Sequence, residues 1–176
     1  MTKKKIVSIL AVTVVLLSSS IIVYAETAQP AVSGHDLVDS GGHMDYSAST
    51  QYSGYLFSGT NLWNDYLGTT VIREDSFGTI NDCDIMDVTN SDVMWAGQTG
   101  IPKTNLVPGY IYFNTYYMDQ YSTTKAIFVV KHEFGHTLGC DENSCSDFNI
   151  MYPYVKSNIN LSIHDKASVD LAKKSW

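Results

Sequence analysis

Two histidines four residues apart, with a glutamate beside the first, are the residues of this chain best suited to chemistry. They are His132, Glu133 and His136, in an H-E-x-x-H pattern. Four residues advance about 400° around an α-helix, so both histidines would project from one face, a turn apart. Two neutral imidazoles can hold one zinc ion, which makes a bound water more acidic, and Glu133 can take that water's proton. The alternative is two surface histidines beside a solvated glutamate.

The residues around the motif support a metal site. Apolar residues at helical spacing predict a helix over residues 125–138, and they are Ile127, Val130, Phe134 and Leu138. Gly139 can end that helix with a positive φ, which turns the chain back towards a third ligand. Residues 149–153, of sequence N-I-M-Y-P, have the form of a Met-turn. These additions favour zinc over the solvated alternative.

The sequence H-E-F-G-H-T-L-G at residues 132–139, followed by M-Y-P at 151–153, resembles the metzincin metalloproteases, and among them the matrixins. The resemblance implies an α+β fold with a twisted mixed β-sheet, long helices, an active-site helix ending at Gly139, and a Met-turn. It implies a secreted zinc-dependent metalloendopeptidase with Glu133 as general base and a protein or peptide as substrate. Met151 would form an apolar floor beneath the ligands, with a plain core methionine as the alternative.

The third ligand is where the sequence departs from the family pattern. The pattern places a histidine, or sometimes an aspartate, three residues after Gly139, and here that residue is Glu142. A carboxylate can ligate zinc, so His132, His136 and Glu142 could complete the site. Asp141 is the alternative ligand. If the third ligand is lost, the expected protein is instead a catalytically weak, metzincin-like secreted protein that binds peptides.

The N-terminus predicts export. Lys3, Lys4 and Lys5 precede a largely apolar run over residues 6–24, and Ala25 closes a small-residue cleavage site. An uncleaved membrane anchor is the alternative. We therefore predict a signal peptide at residues 1–25, a linker or short propeptide at 26–40 and a catalytic domain at 41–176. The mature protein would be extracellular, without stable membrane association.

The composition restricts the partners. The chain has 176 residues, 11 Lys and Arg against 18 Asp and Glu, and a net charge of -7. Such an acidic chain is poorly suited to bind a nucleic-acid backbone, so we expect no nucleic acid as partner, and a monomer. The sequence contains no G-x-S-x-G, P-loop or G-x-G-x-x-G motif.

Further polar and sulfur-bearing residues leave alternatives open. An oxygen-rich stretch predicts either a Ca²⁺ site or a solvated acidic loop, and its members are Asn81, Asp82, Asp84, Asp87, Asn90 and Asp92. The odd number of cysteines leaves at least one thiol unpaired in a monomer, and the pairing of Cys83, Cys140 and Cys145 stays open. Three isolated histidines are expected to be structural or solvated, namely His35, His43 and His164. Tyr152 and Tyr154 would either line the substrate cleft or pack as ordinary aromatic residues.

The elements that must position these residues follow from local patterns. Strands are predicted over residues 43–48, 69–72, 84–89, 93–97 and 109–118, with a loop over 98–108. A helix is predicted over 52–67, ending at Gly68, and a last helix after Ser162, where Asp165 completes a capping-box pattern. The family resemblance makes the strand at 93–97 the candidate edge on which an extended substrate would pair.

Overall fold

A computed structural model describes residues 26–103 and 107–176. The predicted signal peptide lies outside the described residues. The strands are β1 (Met44–Ser49), β2 (Ile72–Glu74), β3 (Cys83–Val88), β4 (Gly97–Gly100) and β5 (Gly109–Asn114). The helices are α1 (Ser53–Leu67), α2 (Thr115–Met118), α3 (Thr123–Thr137) and α4 (Ile163–Ala172). Within the described part of the chain, no helix is both long and apolar enough to cross a membrane.

The five strands form one mostly parallel sheet in the order β2-β1-β3-β5-β4. β1 pairs in parallel with β2 and β3, and β3 pairs in parallel with β5. β4 is antiparallel to β5, with Gly97 opposite Phe113 and Gly100 opposite Tyr110. Parallel neighbours need a crossover connection, and α1 supplies the one between β1 and β2. The predicted α+β class is confirmed at this level.

Helix α3, which carries the H-E-x-x-H motif, is buried against α1. A side chain at Gly59 of α1 would meet Phe134 of α3 at 2.5 Å and Val130 at 2.9 Å, so only glycine permits this approach. Trp63 is fully buried, and its indole Nε1 donates a hydrogen bond to the carbonyl of Lys131 at 2.9 Å. The motif therefore lies on a helix with little freedom to shift.

The predicted helix ends agree with the structure. α1 ends at Gly68, which has a φ of 68°. Gly139 follows α3 with a φ of 87°, the left-handed conformation that glycine adopts without strain. At α4 the Ser162 side chain accepts from the backbone N–H of Asp165, and the Asp165 carboxylate accepts from the Ser162 N–H. This is the predicted capping box.

Three strand predictions were wrong in position, because side chains form hydrogen bonds with backbone N–H or carbonyl groups in those segments. The strand predicted over 69–72 begins only at Ile72, since Asn64 Oδ1 accepts from the N–H groups of Val71 and Ile72. Of the strand predicted over 93–97 only Gly97 is in a strand, because β4 begins there and continues into the predicted loop. The side chain of Asn114 donates to the carbonyls of Asn90 and Trp95. Its Oδ1 also accepts from the N–H of Tyr116, which ends β5 and starts α2 inside the strand predicted over 109–118.

Candidate metal centre

The two histidines of the motif converge with a carboxylate beyond the end of α3. His132 Nε2 and His136 Nε2 lie 3.1 Å apart. Glu142 Oε1 is 3.4 Å from His132 Nε2 and 3.8 Å from His136 Nε2. The structure thus brings together the three residues predicted to hold metal.

Backbone carbonyls orient both imidazoles. His132 Nδ1 is 2.8 Å from the carbonyl oxygen of Ile150, and His136 Nδ1 is 3.0 Å from that of Cys140. A carbonyl only accepts hydrogen bonds, so each Nδ1 is the donor. Each Nε2 is thereby directed to the point of convergence, which is the usual arrangement of metal-ligating histidines.

The electrostatics of the cluster also favour a cation. Burial opposes the charged form of His132, but the hydrogen bond to Glu142 and the charges of Glu133 and Glu142 outweigh it and raise its pKa to about 9. Partial burial opposes the ionised form of Glu142, yet its close contacts with the imidazoles of His132 and His136 lower its pKa to about 2. Glu142 is therefore ionised at neutral pH, and its negative charge lies beside the two imidazoles.

The donor set fits a zinc ion. Ligand atoms about 2.0–2.2 Å from a tetrahedral zinc lie about 3.3–3.6 Å from one another. The three separations found here are 3.1, 3.4 and 3.8 Å, which bracket that spacing. Two imidazole nitrogens and one carboxylate oxygen are also a ligand set that zinc accepts.

Asp141 does not join the cluster. It is exposed, and its Oδ1 accepts a hydrogen bond from the backbone N–H of Glu142 at 2.8 Å. Glu142, the residue favoured by register, therefore lies at the two histidines. Asp141 instead forms a hydrogen bond within the loop that contains Glu142.

Glu133 is buried beside the same site, and strand β4 fixes its carboxylate. The Thr99 hydroxyl lies 2.7 Å from Glu133 Oε2. A side chain at Gly97 would collide with Glu133 Oε1, so glycine is required there. Neither Gly97 nor Thr99 of β4 could be identified from the sequence. They lie more than thirty residues before Glu133, and no local pattern indicates that β4 approaches α3.

The segment after the ligands packs against the motif helix, and residues 149–151 are here called the floor of the site. Met151 is fully buried, and a side chain at Gly135 of α3 would collide with its sulfur. The buried Asp165 carboxylate accepts from the N–H groups of Ile150 and Met151, at 2.8 and 3.1 Å. Asp165 thus fixes the same residue, Ile150, whose carbonyl orients His132. The sequence identified Asp165 only as a helix cap.

A cleft of about 720 Å³ runs past the three-residue cluster. Tyr152 and Tyr154 both line it, as does the exposed His35, which sequence analysis treated as isolated. His164 is buried, and its Nδ1 accepts from the backbone N–H of Gln29, a structural role. The only lysine or arginine among the described lining residues is Lys125.

The oxygen-rich stretch does not converge on one point. Asp82 lies near Asp39 and Asp45, but Asp45 is already paired with the guanidinium of Arg73. Asp87 accepts instead from the backbone N–H of Gln51 at 2.7 Å. Exposed acidic groups commonly gather without an ion, so Ca²⁺ stays a prediction from sequence.

All three cysteines are free thiols. Cys83 and Cys140 are buried, and Cys145 is exposed. Burial, helped by the charges of Asp84 and Asp82, raises the pKa of the Cys83 thiol to about 12. None of the pairings left open by the sequence is formed here.

No family model and no curated protein matches the chain. A similar solved structure is described as the GM1-bound form of the ECX AB5 holotoxin. It is 16% identical, and the match covers 74% of this chain and 71% of that chain, with a TM-score of 0.43.

The comparison corrects the function predicted from sequence. The prediction was a secreted zinc metalloendopeptidase, with a weakly catalytic peptide-binding protein as the alternative, whereas the similar structure is described as a toxin assembly. We therefore withdraw both assignments. A TM-score below 0.5 is too low for any activity of that assembly to be carried over to this chain. Any function proposed for this chain must therefore be argued from the residues of the candidate metal centre.

Proposed function

We propose that this chain is a zinc-dependent hydrolase with a metzincin-like fold and Met-turn. His132, His136 and Glu142 hold the metal, and Glu133 acts as general base. The observation that carries the proposal is the convergence of two oriented imidazole Nε2 atoms, 3.1 Å apart, with a carboxylate whose pKa is lowered to about 2.

The roles of the ligands follow from their surroundings. The carbonyls of Ile150 and Cys140 keep the Nε2 atoms of His132 and His136 available to a metal. Glu142 contributes a negative charge that offsets part of the charge of a divalent cation. Zinc, when bound, supplies a Lewis acid that makes a water molecule in the cleft more acidic.

Glu133 is held ready to accept a proton. Its Oε2 is engaged by the Thr99 hydroxyl, while Oε1 is on the side of Gly97, where no side chain intervenes. A carboxylate fixed in this way can take a proton from a water and later return it to a leaving group. Glu133 is therefore a base and not a ligand.

We also propose that the protein acts outside the cell. The support is the basic and apolar N-terminal sequence that ends at Ala25. Mass spectrometry of the mature N-terminus tests this, with Glu26 expected as the first residue. A mature chain that retains residues 1–25 would contradict it.

Hydrolysis tests the proposed chemistry without assuming a substrate. The zinc-loaded protein is assayed against a chromogenic ester, an anilide and a phosphodiester, and we expect turnover of at least one of them. Glu133→Gln should retain one zinc and lower that rate by roughly a hundredfold or more, because only the base is removed. Glu74→Gln, at an exposed glutamate of β2, is the matched control and should behave as the unaltered protein. Unchanged hydrolysis by Glu133→Gln would refute the proposed base.

A further inference from the structure

Residues 26–37, here named the strap, lie against the end of the motif helix. Sequence analysis treated this region as a linker or short propeptide. Val32 forms an antiparallel bridge with Cys140. The N–H of Ser33 donates to the carbonyl of Gly139 at 3.0 Å, and the N–H of Leu37 donates to that of Thr137 at 2.8 Å. The strap thus follows the chain as it leaves α3 towards Glu142.

Both sequence neighbours of Glu142 are bonded to the strap. The backbone N–H of Asp141 donates to the carbonyl of Ala31 at 3.0 Å. The side-chain Nδ2 of Asn143 donates to the carbonyl of Gln29 at 2.7 Å. The Glu142 side chain itself is 46% exposed, so its position depends on how its backbone is held.

Asn143 connects the strap with the floor of the site. It is buried, its backbone N–H donates to the carbonyl of Met151 at 2.7 Å, and its own carbonyl accepts from the Asn149 side chain at 2.8 Å. Its Oδ1 accepts from the N–H of Cys145 at 3.2 Å. Asn143 therefore joins three segments next to the carboxylate ligand, through its backbone and its side chain together.

The strap is in turn fixed to α4. The N–H of Gln29 donates to His164 Nδ1, and the N–H of Ala31 donates to the hydroxyl of Ser168, both at 2.9 Å. His164 and Ser168 are buried. The strap thus connects α4 to the Glu142 loop, and it begins directly after the predicted signal cleavage site.

We propose that Asn143 is a positioning residue that, together with the strap, holds Glu142 against His132 and His136. The inference rests on the proposed zinc site. Without the bond from Asn143 to Gln29, the loop would have to be ordered when metal binds, and that ordering costs conformational entropy. Metal affinity would fall although every ligand is still present.

The test is a double-mutant cycle on zinc affinity, measured by competition with a chromogenic chelator. Asn143→Asp removes the donor to Gln29 but keeps the acceptor for Cys145. We expect a roughly ten- to hundredfold loss of zinc affinity, the usual effect of losing a residue that orients a metal ligand. In a Glu142→Ala background the same change should have little further effect, because there is no carboxylate left to position. The visible spectrum of the Co²⁺-loaded protein should change in Asn143→Asp.

Two further variants separate positioning from general stability. Asn64→Ala removes a comparable set of backbone bonds, to Val71 and Ile72, away from the site. It should lower the free energy of unfolding without changing zinc affinity. Ser168→Ala loosens the strap from α4 by removing the acceptor for the Ala31 N–H. It should weaken zinc binding in the same direction as Asn143→Asp but by less, and it serves if Asn143→Asp does not fold.

The outcomes distinguish this inference from the proposed function. If the unaltered protein binds no zinc, or if Glu142→Ala binds it as well as the unaltered protein does, both proposals fail. If Glu142→Ala weakens zinc binding but Asn143→Asp and Ser168→Ala do not, only the positioning role is overturned. Equal losses from Asn143→Asp with and without Glu142 would also overturn it.

Discussion

Glu142 occupies the position at which the metzincin pattern has a histidine or an aspartate, so its contribution to metal binding needs a direct test. Glu142→Ala should weaken zinc binding strongly, because it removes both a ligand atom and the negative charge that raises the pKa of His132. Asp141→Ala should change affinity little, since the Asp141 side chain is exposed and its Oδ1 accepts a hydrogen bond from the neighbouring Glu142 N–H. Chelator competition on both variants is the measurement. A greater loss in Asp141→Ala than in Glu142→Ala would show that the ligand has been misassigned.

The ion pair between His132 and Glu142 gives a prediction for the metal-free protein. The pKa of His132 is raised from 6.5 to about 9. Its contribution to stability is thus complete below about pH 6.5 and is lost as the pH rises through 9. The pKa of Glu142 is lowered from 4.5 to about 2, so its contribution is present above about pH 4.5 and is lost towards pH 2.

Urea unfolding of the metal-free protein across this range is the measurement. We expect the free energy of unfolding to be lower at pH 9 than at pH 6, and the difference to shrink in Glu142→Gln. The effect is modest, because Glu142 is 46% exposed and water screens the pair. A Glu142→Gln profile that matches the unaltered protein between pH 6 and 9 would contradict the pairing.

At the scale of elements, the contact between α1 and α3 holds the motif helix in place. Gly59→Ala should destabilise the fold by about 1–3 kcal/mol, because the new methyl group has no space against Phe134 and Val130. Gly54→Ala in the same helix is the matched control. A methyl group there meets nothing within 4 Å, so this change should be neutral or stabilise by up to about 1 kcal/mol. Equal unfolding midpoints of the two variants in urea would contradict the close packing.

Some elements could be predicted because their signals are local. α1, α3 and α4 have apolar spacing and end residues that lie within the helix or next to it, such as Gly68 and the pair Ser162 and Asp165. β4 has no such signal. Its sequence, G-Q-T-G, is short and polar, and it is a strand because it pairs with β5 and faces Glu133. That information resides in residues distant in sequence.

The candidate site shows the same division. His132, Glu133 and His136 could be predicted from their types and helical spacing, and the resemblance to the metzincin pattern favoured Glu142 over Asp141 as the third ligand. Their supporting residues could not be found, because each reaches the site from another part of the chain. Asn143 and Asp165 act through backbone groups of the strap and of residues 150–151, and no motif encodes such contacts.

At the scale of the whole molecule, the three cysteines differ in access to solvent. Cys83 is in the sheet, Cys140 follows α3, and Cys145 is in the exposed loop after Glu142. A thiol reagent should therefore modify only Cys145 in the native protein and all three in denaturant, because burial raises the pKa values of the other two. Mass spectrometry of the labelled protein is the measurement. Rapid native labelling of Cys83, or a disulfide in the untreated protein, would contradict the structure.

The proposed zinc centre consists of His132, His136 and Glu142, which together would hold one zinc ion. A crystal structure of the zinc-loaded protein, with anomalous diffraction measured on both sides of the zinc absorption edge, tests it most directly. We expect one strong anomalous peak about 2.0–2.2 Å from His132 Nε2, His136 Nε2 and a Glu142 carboxylate oxygen. The proposed centre would be contradicted by a peak at Asp39, Asp45 and Asp82 alone, or by zinc held by the two histidines with Glu142 turned away.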